Sequence, residues 1–180
     1  MIDERNIELL RNFCETTLNG SFESRRSGKG LEVTCSLDSI DRRSVEEIAR
    51  LLRDLSTDLS SSGERPRIEV KFISPTAWVE FRPDGRVWDR WAMSVEMGKT
   101  LPWDIRSSFS HLPESDRLQI LSKAKGALKV YCTLSPNLTL ACKLSSIRLS
   151  ESDVAKLFDD FTAQSSLAEE IIKKELAVKK

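Results

Sequence analysis

Apolar positions alternate between helical and strand spacing along the chain and predict a mixed α+β protein. Ile7, Leu10, Phe13 and Cys14 recur at helical spacing over Asp3 to Thr17, and Asn19-Gly20 supplies a stop. Two short strands follow, at Ser21 to Arg25 and Leu31 to Leu37, with the turn-like Ser27-Gly28-Lys29-Gly30 between them. Leu31, Val33, Cys35 and Leu37 alternate, so one face of the second strand is expected in a core. Ser44 opens the next helix. With Glu47 three residues on it reads as a capping box, in which the hydroxyl accepts a backbone N–H and the carboxylate reaches back. Ile48, Leu51, Leu52, Leu55 and Leu59 form that helix's apolar stripe, and Ser60-Ser61-Ser62-Gly63 ends it.

The middle of the chain reads as extended. Ile68, Val70 and Phe72 alternate across Arg67 to Ile73. Ala77 to Arg82 and Arg86 to Met97 read as a hairpin around Pro83-Asp84-Gly85, with proline first in the loop and glycine in the left-handed position of a three-residue bulged turn. Lys99 to Phe109, which contains Pro102, reads as a loop or a short helical turn. Pro113 suits the first turn of a third helix ending near Lys125 and Gly126. Leu128 to Thr133 and Leu138 to Leu144 form a strand pair turning at Ser135-Pro136-Asn137. The last helix runs from Ser150 to about Ala177, its stripe made by Val154, Leu157, Phe158, Phe161, Ala168, Ile171, Ile172 and Leu176.

Two stretches match each other. Cys35-Ser36-Leu37-Asp38-Ser39-Ile40 followed by Ser44 to Leu55 resembles Cys142-Lys143-Leu144-Ser145-Ser146-Ile147 followed by Ser150 to Phe161. Each copy has helix, turn and strand upstream. The expectation is one α+β domain over residues 1–180, an antiparallel sheet with packed helices. Duplicated helix–strand–strand–helix halves at 1–62 and 112–178 flank a tryptophan-rich three-strand insert at 66–110. In such a pseudo-symmetric core Cys35 and Cys142 would be equivalent.

Composition narrows the function classes. Of the residues 39% are hydrophobic and 31% charged, with 28 basic against 28 acidic side chains. A net charge of zero removes the bulk attraction to nucleic acid or anionic membrane. No run approaches the roughly 18 apolar residues of a membrane span, and the polar start Met1-Ile2-Asp3-Glu4 lacks the pattern of a signal peptide. Those readings imply a cytoplasmic protein whose four cysteines, Cys14, Cys35, Cys132 and Cys142, stay reduced as small core residues. The sequence has no CxxC pair and a single histidine, so no metal and no cofactor is expected. It also lacks G-x-S-x-G and a P-loop, and His111 has no nucleophile context, so an enzyme is not expected. Asp153, Asp159 and Asp160 share a helix with lysines and read as a solvated face.

The order strand, strand, long helix over Leu128-Lys129-Val130-Tyr131, Leu138-Thr139-Leu140-Ala141-Cys142-Lys143-Leu144 and Ser150 to Phe161 resembles the type III secretion chaperone-like fold, including its YbjN-type members. The resemblance is one of pattern and covers the last seventy or so residues best. It implies a non-enzymatic protein-interaction module, chaperone-like or adaptor, often dimeric, that holds a partner polypeptide on a sheet or helix surface. The stretch from Leu167 to Leu176 fits either a homodimer contact or packing within the chain.

All four tryptophans, Trp78, Trp88, Trp91 and Trp103, fall within the insert. With the turn at Pro83-Asp84-Gly85, Arg82 pairs with Arg86, Glu80 faces Trp88, and Trp78 faces Arg90. Val79, Phe81, Val87, Trp91, Met93 and Val95 then form a core face, and Trp78, Glu80, Arg82, Arg86, Trp88 and Arg90 the opposite one. Tryptophan and arginine are enriched at binding hot spots, so this second face is the expected partner-binding surface. Cross-strand pairs on a half-exposed sheet would look the same in sequence. Nucleic acid, stacking on the aromatics and held by the arginines, is the alternative ligand.

Overall fold

A computed structural model describes residues 4–27, 30–61, 68–87, 90–146 and 148–179. The side chains of residues 27, 55–61, 84–87, 90 and 91 lie outside that description. The chain is α+β, with five α-helices and one seven-stranded sheet among the described residues. In chain order the elements are α1 (Glu4–Asn12) with a π-helical turn (Phe13–Thr17), β1 (Ser21–Ser27), β2 (Gly30–Ser36), α2 (Arg42–Ser61), β3 (Ile68–Ile73), β4 (Ala77–Val87) and β5 (Arg90–Thr100). Then come α3 (Trp103–Ser110), α4 (Glu114–Ala127), β6 (Cys132–Leu134), β7 (Thr139–Ser146) and α5 (Glu151–Val178). Strand order is β1-β2-β3-β4-β5-β7-β6. The helix–strand–strand–helix order thus occurs at α1–α2 and again at α4–α5, with β3, β4, β5 and α3 between. The chain divides into two compact units, Met1–Met97 with Lys143–Phe158, and Gly98–Cys142 with Asp159–Lys180. Among the described residues no helix is long and apolar enough to cross a membrane.

In the first unit the expected alternation is observed as a buried row running across strands. Val33 pairs with Val70 and Val70 with Phe81; Cys35 pairs with Phe72 and Phe72 with Val79. All six side chains are buried. β1 and β2 are antiparallel, whereas β2 and β3 are parallel. Parallel neighbours need a crossover, and α2 lies in that connection. The end of α1 is held down by three devices. Phe13 meets Phe72 edge-on at 6.2 Å between ring centroids. Asn19 turns the chain with φ 54°, and the Gly20 N–H donates to the Cys14 carbonyl at 2.8 Å. Cys14 is joined to Cys35 by a disulfide.

The α2 cap differs from the expected one. The helix begins at Arg42, and Asp41 caps it: Asp41 Oδ1 accepts the Ser44 N–H at 2.8 Å, while Ser44 Oγ accepts the Asp41 N–H at 2.9 Å. The box is therefore Asp41 with Ser44, one turn earlier than Ser44 with Glu47. The Ser44 N–H holds the Asp41 carboxyl below its ordinary pKa. Glu47 instead pairs with Arg50 at 2.8 Å. The second copy is capped in the same way, Ser150 Oγ accepting the Asp153 N–H at 3.1 Å and Asp153 Oδ2 the Ser150 N–H at 3.3 Å. Caps align Asp41 with Ser150, so the internal match slips by about one turn. Buried Val45, Ile48 and Leu52 then correspond to buried Val154, Leu157 and Phe161.

In the second unit α4 buries Ile120, Leu121 and Ala124, and α5 buries Ala168, Ile172 and Leu176. Lys123 pairs with Glu175 at 2.5 Å and Lys179 with Asp116 at 3.2 Å, tying α4 to α5. Of the stretch considered for a second subunit, Ala168, Ile172 and Leu176 are thus buried within the chain itself, while Leu167 and Ile171 are half-buried. β6 and β7 pair antiparallel with Cys132 opposite Cys142, and these two form the second disulfide. No cysteine is free. The expectation of four reduced thiols is therefore overturned: both pairs are brought to bonding distance by topology rather than by sequence spacing.

Candidate functional site

The expected partner-binding face is only partly assembled as anticipated. Trp78, Glu80 and Arg82 do share one face of β4, opposite buried Val79 and Phe81. Trp78 and Glu80 are half-buried and Arg82 is exposed. Glu80 lies opposite Lys71 on β3 and Trp78 opposite Ile73, so two of the three have cross-strand neighbours that account for them. The turn is elsewhere. β4 continues through Pro83-Asp84-Gly85 to Val87, and β5 starts at Arg90, so the strands are longer than expected. Ser94 Oγ donates to the Arg82 carbonyl at 3.4 Å, where Arg86 was expected across the hairpin. Arg86 and Arg90 fall within β4 and β5, but their side chains, and all of Trp88, lie outside the described residues. β5 buries Ala92, Met93, Ser94 and Val95 in succession, so both its faces are covered.

A cleft in the second unit carries the chemistry that sequence reading missed. Lys99 to Phe109, expected as loop or helical turn, holds all but the last residue of the eight-residue helix α3. Ile105 and Phe109 anchor it, one turn apart and both buried. Trp103 opens the helix directly after Pro102 and is 72% exposed. The start of α4 brings Arg117, and the β6–β7 turn brings Asn137 and Leu138. These groups with Arg106 line a cleft of ≈ 300 Å³.

The turn forming one wall is strained. Its Ser135 carbonyl accepts the Leu138 N–H at 2.9 Å, and Ser135 N–H donates to Thr139 at 3.0 Å. Leu138 takes the left-handed position with φ 60°, an expensive choice for a leucine, costing about 1–3 kcal/mol. Complete burial of its side chain and a 3.0 Å hydrogen bond from Leu101 N–H to its carbonyl hold it there. Such strain concentrates at functional sites. The turn expected at Ser135-Pro136-Asn137 thus lies one residue later, at Pro136-Asn137-Leu138.

The cleft is cationic. Arg106 Nε donates to the Leu101 carbonyl at 2.8 Å, which fixes its guanidinium. Arg117 Nε is buried and has no hydrogen-bond acceptor. A buried donor left in that state costs about 1–3 kcal/mol, more when charged, and few native groups are left so. None of the lining residues is acidic. Asp116, the neighbour of Arg117 in sequence, is engaged by Lys179.

The acids expected as a solvated face divide. Asp153 caps α5. Asp160 is half-buried and accepts from Lys129 Nζ at 3.1 Å and from the Tyr131 hydroxyl. Lys129 is raised above the usual lysine pKa, first by its hydrogen bond to Asp160 and then by that to Tyr131. Tyr131 is raised by burial and then by the Asp160 bond. The Lys129 backbone N–H also donates to Gln164 Oε1 at 2.7 Å, so the segment between α4 and β6 is clamped to α5. His111 is exposed at the end of α3, its Nδ1 2.6 Å from the Ser107 carbonyl.

Fold and cleft together define an α+β protein with a small cationic cleft and an aromatic rim. Set beside family models, curated proteins and solved structures, the chain matches none of them.

Proposed function

We propose that the protein is a non-enzymatic polypeptide-binding module, chaperone-like or adaptor, whose contact surface is the cleft between α3, α4 and the β6–β7 turn. The observation that carries this reading is the exposure of Trp103, 72%, on the rim of that cleft. A tryptophan left in water gives up most of the apolar burial it could contribute, and tryptophan is the side chain most enriched at interface hot spots. The pattern resemblance to type III secretion chaperone-like proteins points to the same class of partner. Nucleic acid remains the competing ligand, but stacking along a strand calls for several aromatics on a basic track, and this cleft offers one tryptophan and two arginines.

The expected cytoplasmic setting, read from the missing membrane span and signal-peptide pattern, implied reduced cysteines. Two disulfides favour a compartment that keeps thiols oxidised, and we place the protein's working site there.

The test is selection of a random displayed peptide library on the oxidised protein. Sequences should converge, and Trp103→Ala should weaken the selected peptides at least tenfold while Trp78→Ala leaves them bound. A library that does not converge on the folded protein refutes the reading. Single-stranded oligonucleotides that bind at low salt and release as salt rises would replace it with the nucleic-acid one.

A further inference from the structure

The proposal above names a surface and a class of partner; the arginines that line the cleft with Trp103 specify which chemical group of that partner enters. We infer that the cleft is a carboxylate receptor, Arg117 being the residue that grips the ligand's carboxylate and Arg106 its support. This inference rests on the polypeptide-binding reading but on a different observation, the state of Arg117.

Arg117 belongs to the first turn of α4 and lines the cleft, and its Nε is buried without an acceptor. A guanidinium presents Nε–H and a terminal N–H as a parallel fork, and a carboxylate matches that fork with two oxygens. The one cleft arginine whose Nε is already used is Arg106, through Leu101. It contributes charge from a fixed position and leaves the fork of Arg117 as the place for a bidentate partner. No acidic side chain lines the cleft to compete for it, and Asp116 is held by Lys179.

Size selects among anions. A cleft of ≈ 300 Å³ sits at the lower end of ligand sites and accepts the end of a chain or one side chain rather than a folded surface. Apolar Phe109, Pro136 and Leu138 line it beside the arginines. That mixture fits an acid attached to an apolar residue, as at a peptide C-terminus, and suits a densely charged phosphate less well. An aspartate or glutamate side chain within a peptide presents the same group, so the two sources are separated by experiment.

The experiment takes peptides selected on the wild-type protein and measures their affinity in three forms. One has a free C-terminus and no internal acid, one an amidated end with an internal Asp or Glu, and one an amidated end with no acid. Binding at least tenfold tighter for the first or the second form than for the third is expected, and whichever form wins identifies the source. Arg117→Gln should abolish that preference while leaving the acid-free form bound as before, and Arg117→Lys should keep part of it. Equal affinity for all three forms overturns the inference while leaving the polypeptide reading standing. A carboxylate preference that persists unchanged in Arg117→Gln overturns the assignment to Arg117. Because the first comparison alters only the peptide, it does not depend on the variants folding.

Discussion

Reducing the two disulfides should cost the fold a large share of its stability. Cys14 and Cys35 are separated by 21 residues and Cys132 and Cys142 by 10. In the chain-entropy account, closing loops of those lengths in the unfolded state stabilises the native one by about 3.3 and about 2.7 kcal/mol. Together they approach about 6 kcal/mol, against the roughly 5–15 kcal/mol by which a domain is normally stable. Urea unfolding with and without dithiothreitol reads this directly. With slopes of about 1–3 kcal/mol/M, loss of both bonds moves the midpoint by roughly 2 M or more. The paired replacements Cys14→Ala with Cys35→Ala, and Cys132→Ala with Cys142→Ala, separate the contributions. All four cysteines are buried, so each replacement also loses some packing, and dithiothreitol on the native sequence provides the control. Coincident oxidised and reduced unfolding curves would refute the reasoning. A second readout bears on where the protein works. Acid-trapped protein, denatured and alkylated, should show no free thiol before reduction and four after it; four free thiols at the outset would restore the cytosolic expectation.

Two further predictions concern packing and pH. A Cβ at Gly20 would lie 2.7 Å from Leu37 Cδ2, 2.8 Å from the Ser36 carbonyl and 2.9 Å from Cys35 Sγ. The last two are backbone and a disulfide sulfur that cannot swing away, so Gly20→Ala should destabilise by about 1–3 kcal/mol, outweighing the about 0.4–1 kcal/mol that a stiffer unfolded chain returns; an unchanged urea midpoint would refute this. Asp160→Asn should lose about 1–2 kcal/mol through its bond with Tyr131 and should be non-additive with Tyr131→Phe. It should also flatten the alkaline limb. Lys129 and Tyr131 both have raised native pKa values, so their stabilisation is complete below the unfolded values of 10.5 and 10.0 and is lost as pH climbs through the native ones. A limb unchanged in the variant would refute that origin.

How much of this was legible in the sequence depends on how local its cause is. The alternation Leu31, Val33, Cys35 and Ile68, Val70, Phe72 is a local signal, and it gave the buried face correctly. Residues from Ser150 onward announced α5 because their stripe is long and begins with a capping serine. The hairpin turn was misplaced because Pro83-Asp84-Gly85 has the right chemistry for a turn. A turn there would forfeit the strand through 84–87 and the pairing that carries Ser94 to the Arg82 carbonyl. Turn chemistry is a weak constraint when longer strands pair more backbone. The Cys132–Cys142 bond depended on a one-residue shift in the position of the turn. With Leu138 in the turn, Ser135 closes on Thr139 and Cys132 lies opposite Cys142; with Leu138 in the strand the register slips and the sulfurs miss. Nothing in a leucine announces a left-handed φ. The unsatisfied Arg117 Nε belongs to packing alone and leaves no trace in spacing or composition.

The cleft also shows why function should be sought where the unrepeated segment ends. Trp103 and Arg106 come from α3, between the two helix–strand–strand–helix stretches, whereas Arg117, Asn137 and Leu138 come from the second of those stretches. One residue joins the two sources: the Leu101 N–H donates to the Leu138 carbonyl, and the Leu101 carbonyl accepts from Arg106 Nε. The strained turn and the supporting arginine are therefore set by the same residue, before any ligand arrives. That division leaves Arg117 as the group with an unmet hydrogen bond. A ligand that accepts from it gains that bond at the cost of moving the Arg117 side chain, while the turn and Arg106 are already in place.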